Sequence, residues 1–205
     1  MDIKDLLENI KDYLDKEVEL KGWVRNHRKQ KTIGFIEFND GTSQNSIQLI
    51  YDDTSSHFNE LSKIKIGSAI KVNGLVRKSS GAGQDFEVAI DDYELLGDCP
   101  DEYPIQPKRH TREFLREQAY LRPRTNLFRA VFRVRSVAAH AIHSYFEKNN
   151  YLYFHSPIIT GDDCEGSGQM FKITTLDMNN LPLNEDKKVD YSKALFNELT
   201  YITGT

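Results

Sequence analysis

The sequence contains no run of about 18 apolar residues, so nothing in it reads as a membrane-spanning helix. Its opening, MDIKDLLENIKDYL, threads acids and bases through an apolar pattern and has no signal-peptide core; a cytoplasmic protein is the expectation. Cysteine is scarce. Cys99 and Cys164 stand far apart, with neither a CxxC nor a paired-histidine spacing, which argues against a disulfide framework and a structural zinc site. Positive charge is not in excess either: 27 Lys and Arg against 31 Asp and Glu give a formal net charge of -4. Nucleic acid, if bound, must therefore be held by a local patch and not by bulk attraction. Glycine-rich phosphate loops of the P-loop or Rossmann kind are missing as well, as are internal repeats and low-complexity tracts.

What is present suits a globular chain of one or two domains, with 205 residues, 39% of them hydrophobic and 28% charged. Ile3, Leu6, Leu7 and Ile10 at helical spacing predict a short leading helix. Val18, Leu20, Gly22 and Val24 alternate with Glu19, Lys21, Trp23 and Arg25, the pattern of a half-buried strand. Further strands are expected near 33–39, 46–51, around Ile70, Val72, Gly74 and Val76, and around Phe86, Val88 and Ile90. Asn39-Asp40-Gly41 supplies a turn, Phe58, Leu61 and Ile64 a short helical segment between the third and fourth strands, and 78–85 a flexible polar connection. Five strands with a helix after the third is the order of an OB-fold barrel, although SH3-like barrels also have five strands.

Between positions 21 and 31 lie Lys21, Arg25, Arg28, Lys29 and Lys31 with no acid, and His27 among them. Read as a loop, this is either a solvated charge run or a phosphate-holding patch. On the strand that follows, Ile36 and Phe38 share one face and Ile33, Phe35 and Glu37 the other, so one aromatic points away from the core. An outward Phe35 beside cations offers a stacking surface to a splayed base, worth about 1–3 kcal/mol; the plainer reading is a core residue. Gln48 alternates outward from Ile47 and Leu49, and its amide can both donate to and accept from a base edge.

The second half is organised around 121–171. Leu127, Val131, Val134, Ala138, Ala141 and Tyr145, widened by Phe128, Ile142 and Phe146, form an amphipathic stripe about five turns long. Thr125 or Asn126 can cap its start, and Asn149-Asn150 can supply a left-handed residue at its end. Tyr151-Leu152-Tyr153-Phe154 reads as a buried strand closed by Pro157. Arg129, Arg133 and Arg135 are either interface cations or solvated charges. His140 and His143 at i, i+3 lack a third ligand and make a weak metal signal. Glu165, set among glycines and serine in DCEGSGQMF, can approach an ammonium group closely, or is simply a solvated loop acid. Gly97, Pro100, Pro104 and Pro107 break structure before it, so the expected division is a barrel at 1–98, a hinge at 99–120 and a second domain at 121–205.

The long helix, strand and proline resemble motif 1 of class II aminoacyl-tRNA synthetases, and HTREFLREQAYLRPRTN, SPIIT and DCEGSGQMF resemble asparaginyl-tRNA synthetases. The likeness runs over essentially the whole chain. It implies an OB-fold anticodon-binding barrel followed by the first part of an antiparallel α+β class II catalytic domain. It also implies an anticodon whose middle base is uridine, with Phe35 in TIGFIEF as the stacking aromatic and Gln48 in SIQLI as the residue that reads the uridine. Arg28 and Arg25 fall at backbone-contacting positions, while Asn26 stands where relatives often place arginine. By the same resemblance Glu165 belongs to the amino-acid pocket, and Val131, Val134, Ala138 and Pro157 to a motif 1 homodimer interface. The complete enzyme would use ATP and Mg2+ to join asparagine to tRNA(Asn). The family's motifs 2 and 3 are not in this sequence. The expectation is thus a portion that can bind an anticodon, holds no catalytic residue of its own and cannot make the adenylate. The helix stripe and 151–154 are expected to stand exposed unless dimerisation covers them. The alternatives are a relative of aspartate–tRNA ligases, whose loop reads TPEGARD in place of DCEGSGQ, and a non-catalytic RNA-binding and dimerisation protein.

Overall fold

The computed structural model describes residues 1–79, 81, 83–162 and 170–203. They form two compact units, Met1–His140 and Ala141–Thr205.

The first unit is built on a closed barrel of five strands in the order β1-β2-β3-β5-β4. These are β1 (Glu17–Lys29), β2 (Ile33–Asn39), β3 (Ile47–Asp52), β4 (Ala69–Lys78) and β5 (Phe86–Gly97). Neighbours run antiparallel except where β3 meets β5 side by side and closes the ring. This is the OB-fold expected from the strand order. The alternation of β1 decides which side chains fill it: Val18, Leu20 and Val24 are buried while Glu17, Glu19, Lys21 and Trp23 are exposed. Gly22 holds the remaining inward position, where β1 leaves β4 for β2. A Cβ there would lie 2.8 Å from the Asn39 carbonyl oxygen, so only glycine lets the strands approach.

The core also contains Ile36, Phe38, Leu49, Ile70, Val72, Val76 and Val88, all fully buried. The expected leading helix is two pieces, α1 (Ile3–Glu8) and α2 (Ile10–Tyr13), broken at Asn9. Ile3 and Leu6 of α1 close one end of the barrel. The backbone amide of Ile3 donates to the Asp40 carboxylate at 2.8 Å, so the cap comes from the turn after β2 and not from Asp2. The short α3 (Phe58–Leu61) follows β3 and brings Leu61 into the core. Ser80 and Ala82 of the polar connection lie outside the described residues.

Residues 99–140, expected to be hinge and second domain, fall in the first unit with the barrel. They include α4 (Arg112–Glu117) and most of α5 (Asn126–Lys148). The Thr125 hydroxyl accepts from the Phe128 amide at 3.3 Å and caps α5. Asn150, with φ +63°, ends it in the left-handed conformation expected there.

In the second unit, β6 (Ile159–Thr160), β8 (Thr200–Ile202) and β7 (Lys172–Ile173) form a three-stranded antiparallel sheet in that order. Tyr151-Leu152-Tyr153-Phe154 is not the buried strand read from its apolar run. It has no ladder partner among the described residues, and Leu152 and Phe154 are 96% and 84% exposed. A run of apolar residues signals burial only where another layer covers it, and among the described residues none does. The α5 stripe is likewise uncovered and has no buried residue.

Candidate nucleic-acid interface

The cationic stretch expected as a loop is strand. β1 continues through His27 and Arg28 to Lys29, paired with β2 down to Lys29 opposite Gly34. Its charges are therefore held in register and not splayed on a free loop. The correction follows from β2, whose own alternation provides partners as far as Gly34; the turn is confined to 30–32.

On the outer face Arg28 lies opposite Phe35, and the guanidinium carbon sits 5.6 Å from the ring centroid. That is a cation–π contact that leaves Arg28 exposed and fixes the ring's attitude. Phe35 is half-buried while Ile36 and Phe38 beside it face the core, as the alternation predicts. Gln48 opposes Glu37, two residues along from the Phe35–Ile50 pair, which makes Gln48 and Phe35 diagonal neighbours on one face. Arg28, Phe35 and Gln48 thus come together across three adjacent strands.

Behind Gln48 stands a group that sequence patterning gave no reason to single out. Glu87 is 97% buried (3% exposed) and accepts from Arg77 Nε at 3.1 Å, Ser79 Oγ at 3.2 Å and, more distantly, Gln48 Nε2 at 3.5 Å. With its NH₂ turned toward that carboxylate, the Gln48 amide leaves its carbonyl oxygen for an incoming donor. By the alternation of Phe86, Val88 and Ile90 its position reads as outward, so its burial had no signal in the sequence.

Under the face, His27 is held at both ring nitrogens, Nδ1 2.9 Å from the Ile64 carbonyl and Nε2 2.7 Å from the Tyr51 hydroxyl. The carbonyl can only accept, so Nδ1 carries the proton and the phenol donates to Nε2. Burial depresses the pKa of His27, opposed by its bond to Ile64 and aided by Lys29, and burial pushes the Tyr51 phenol up to about 12. His27 is therefore a neutral structural residue and not a sixth phosphate-holding charge.

Arg25 stands apart from Arg28. A register shift between Val24 and Asn26 turns it away, and it donates to the Asn126 side chain at 3.3 Å. Asn26 accepts from the His27 amide at 2.9 Å and faces Glu37 across the ladder. Val131 and Val134 are 38% and 67% exposed, and Ala138 and Pro157 are also exposed. Glu165 lies outside the described residues. Among the described residues no three His, Cys, Asp or Glu side chains are grouped so as to hold a metal ion, His140 and His143 included. Nor is any helix among them long and apolar enough to cross a membrane.

Residues 18–96 match the family model of the OB-fold nucleic acid binding domain, and residues 111–205 that of class II tRNA synthetases (D, K and N). The chain is 52% identical over 194 residues to an asparagine–tRNA ligase of Acholeplasma laidlawii, covering 94% of this chain and 42% of the relative. It is 48% identical to one of Acetivibrio thermocellus, covering 98% and 44%. The chain therefore spans less than half the length of these relatives. Its fold is similar to asparaginyl-tRNA synthetase from Pyrococcus horikoshii complexed with asparaginyl-adenylate, with TM-score 0.73 and 21% identity, over 95% of this chain and 41% of that one. It is also similar to aspartyl-tRNA synthetase from Entamoeba histolytica, with TM-score 0.61 and 15% identity, over 77% and 39%. Both structural similarities show the shared fold.

Proposed function

Since the chain belongs to the asparagine–tRNA ligase family of class II tRNA synthetases, we propose that its barrel reads the anticodon of tRNA(Asn). The observation that carries this is the outer face on which Arg28, Phe35 and Gln48 converge. An unpaired base stacks on Phe35, which Arg28 braces from one side; the Arg28 charge also meets a phosphate. The middle uridine donates its N3–H to the Gln48 carbonyl oxygen, and the Glu87 carboxylate keeps the amide from flipping. Cytidine offers no donor at N3, so the same geometry rejects it. Arg25 serves the RNA backbone.

In this reading 1–98 is the anticodon-binding domain, 99–120 the connector and 121–205 part of the catalytic domain, with Glu165 on the asparagine ammonium group. The second copy in a homodimer covers Val131, Val134, Ala138 and Pro157, whose exposure supports an interface. ATP and Mg2+ are substrates and cofactor of the whole enzyme, which activates asparagine at the α-phosphate and passes it to the tRNA in the cytoplasm. The 205-residue chain supplies no catalytic residue and makes no adenylate by itself.

The test is binding of the chain to a stem-loop carrying GUU and to the same RNA with the middle uridine changed to cytidine, at one fixed salt concentration. GUU should be preferred, and Phe35→Ala or Gln48→Ala should abolish the preference. Equal binding of both loops by the unaltered chain refutes the reading. Asparagine-dependent ATP–pyrophosphate exchange by the pure chain would refute its catalytic silence.

A further inference from the structure

The anticodon face does not account for a wide concavity of the first unit. A cleft of about 1200 Å³ opens beside the barrel, between the β1–β2 outer face and residues 103–129. Its walls carry Arg25, Lys108, Arg109, Arg112, Arg124 and Arg129 against only Glu37 and Glu113. None of these six cations lies within ion-pair distance of a carboxylate among the described residues. In a chain whose net charge is -4, this is a concentrated reversal of sign.

Two of these cations are built in. Arg129 reaches the Gln44 carbonyl with one terminal nitrogen at 2.7 Å and the Asn126 side chain at 3.0 Å, while Nε and the other terminal nitrogen are shut from solvent with no protein partner. Arg25 shares the same Asn126 oxygen at 3.3 Å. Crowded, partly desolvated guanidiniums repel one another, and an anion in the cleft relieves that repulsion. The direction of both pKa values agrees. Burial lowers each, with Arg124 adding to the effect on Arg25, and Arg25 and Arg133 to that on Arg129, all against the pull of Glu37.

The cleft is continuous with the recognition face. Glu37, which opposes Gln48 on β3 and Asn26 on β1, is also a cleft wall. Arg25 and Arg28 are three residues apart on β1, about 10 Å along the strand. A strand whose base reaches Phe35 has its backbone carried on past the cleft mouth.

We propose that this cleft is a phosphodiester-binding site, in which Arg25 and Arg129 at the floor and Arg112 at the rim hold the backbone of the RNA whose unpaired bases rest on the Phe35–Gln48 face. The proposal rests on the anticodon reading for the identity of the RNA, but it predicts a separate observable. Phosphate contacts fix position and carry no sequence information, so the cleft governs the salt dependence of binding and not the choice of base.

The experiment measures the affinity of the 205-residue chain for the GUU and GCU stem-loops at several salt concentrations. Arg129→Gln and Arg112→Gln should each flatten the slope of log K against log salt by about 0.7–0.9, costing about five- to eightfold in affinity at 0.1 M salt relative to 1 M. The GUU to GCU ratio should stay as it was. Arg112 is exposed, so its variant remains informative if Arg129→Gln unfolds the chain. Inorganic phosphate should not compete at millimolar concentration if the site takes a diester backbone; effective competition would make it a free-phosphate pocket and overturn the assignment. Unchanged slopes in both variants overturn the proposal and leave the anticodon reading intact. Flattened slopes with no GUU preference in the unaltered chain overturn the anticodon reading and keep the cleft as an RNA backbone site. No RNA binding at all overturns both.

Discussion

The barrel and the unit at Ala141–Thr205 come from one chain of ordinary composition, yet they treat their apolar residues in opposite ways. In the barrel, long strands close on themselves, and Leu20, Ile36, Phe38, Leu49, Ile70 and Val72 are fully buried. In the second unit the strands are two or three residues long, and only Ala194 and Thr200 are buried among the described residues. Tyr151, Leu152, Tyr153, Phe154, Ile158 and Phe171 are all 64% exposed or more. Hydrophobic sequence is thus no measure of stability; closure is. A ring of strands lets every inward side chain find a partner on the opposite wall, whereas a three-stranded sheet of minimal strands has one small face and no second layer.

The contrast breaks most visibly at equivalent truncations. Phe38→Ala should destabilise the chain by about 3–5 kcal/mol in urea unfolding, because it empties a closed interior. Phe154→Ala should change stability by no more than about 0.5 kcal/mol. Comparable losses from the two would mean that the second unit is packed after all. A sharper version uses Gly34, where a Cβ would overlap the Tyr51 ring directly. Gly34→Ala should cost about 1–3 kcal/mol, by displacing the ring that holds His27. Gly161→Ala, whose Cβ would meet only the Glu198 carboxylate at 3.5 Å or beyond, should be nearly silent by the same measurement.

Phe35→Ala tests whether the half-buried ring belongs to the core or to the ligand. It should weaken stem-loop binding by about 1–3 kcal/mol, the worth of one stacked base, while the unfolding midpoint moves far less than for Phe38→Ala. A large stability loss with unchanged binding would return Phe35 to the core. The smallest expected effect is on pH. Burial makes the folded state bind the His27 proton less readily than the unfolded chain does. Stability is therefore full above the unfolded value of about 6.5 and falls as pH drops from there toward the lower folded value. His27→Gln should flatten this part of the stability–pH curve, measured by urea unfolding between pH 7.5 and 5.5. An unchanged slope would show that the ring titrates normally.

Much of the barrel was legible because period-2 alternation is a local property of the backbone. Val18 to Val24, Ile33 to Asn39 and Ile47 to Leu49 announce both strand and facing, and with them the outward positions of Phe35 and Gln48. The same reasoning misassigned the cations at 21–31, since a run of charge carries no mark of whether a neighbouring strand will pair with it. It missed Glu87 for a related reason: a buried carboxylate is intelligible only through Arg77, Ser79 and Gln48, which are distant in sequence. The cleft was invisible for the same cause. Arg129 reads as one charge on a helix until Gln44, Asn126 and Arg25 are brought against it.

By itself, then, the sequence determined the elements: the strand alternation, a helix cap at Thr125 or Asn126 and a left-handed stop at Asn149-Asn150, all set by short-range backbone and side-chain preferences. Family resemblance, carried by local wording, added the function proposed for the barrel. Only the tertiary structure decided which apolar runs are buried, where the charge of β1 points, and which polar groups are left without partners. Those depend on what lies opposite each residue, and the partner is set by chain closure over tens of residues, beyond the reach of any local pattern.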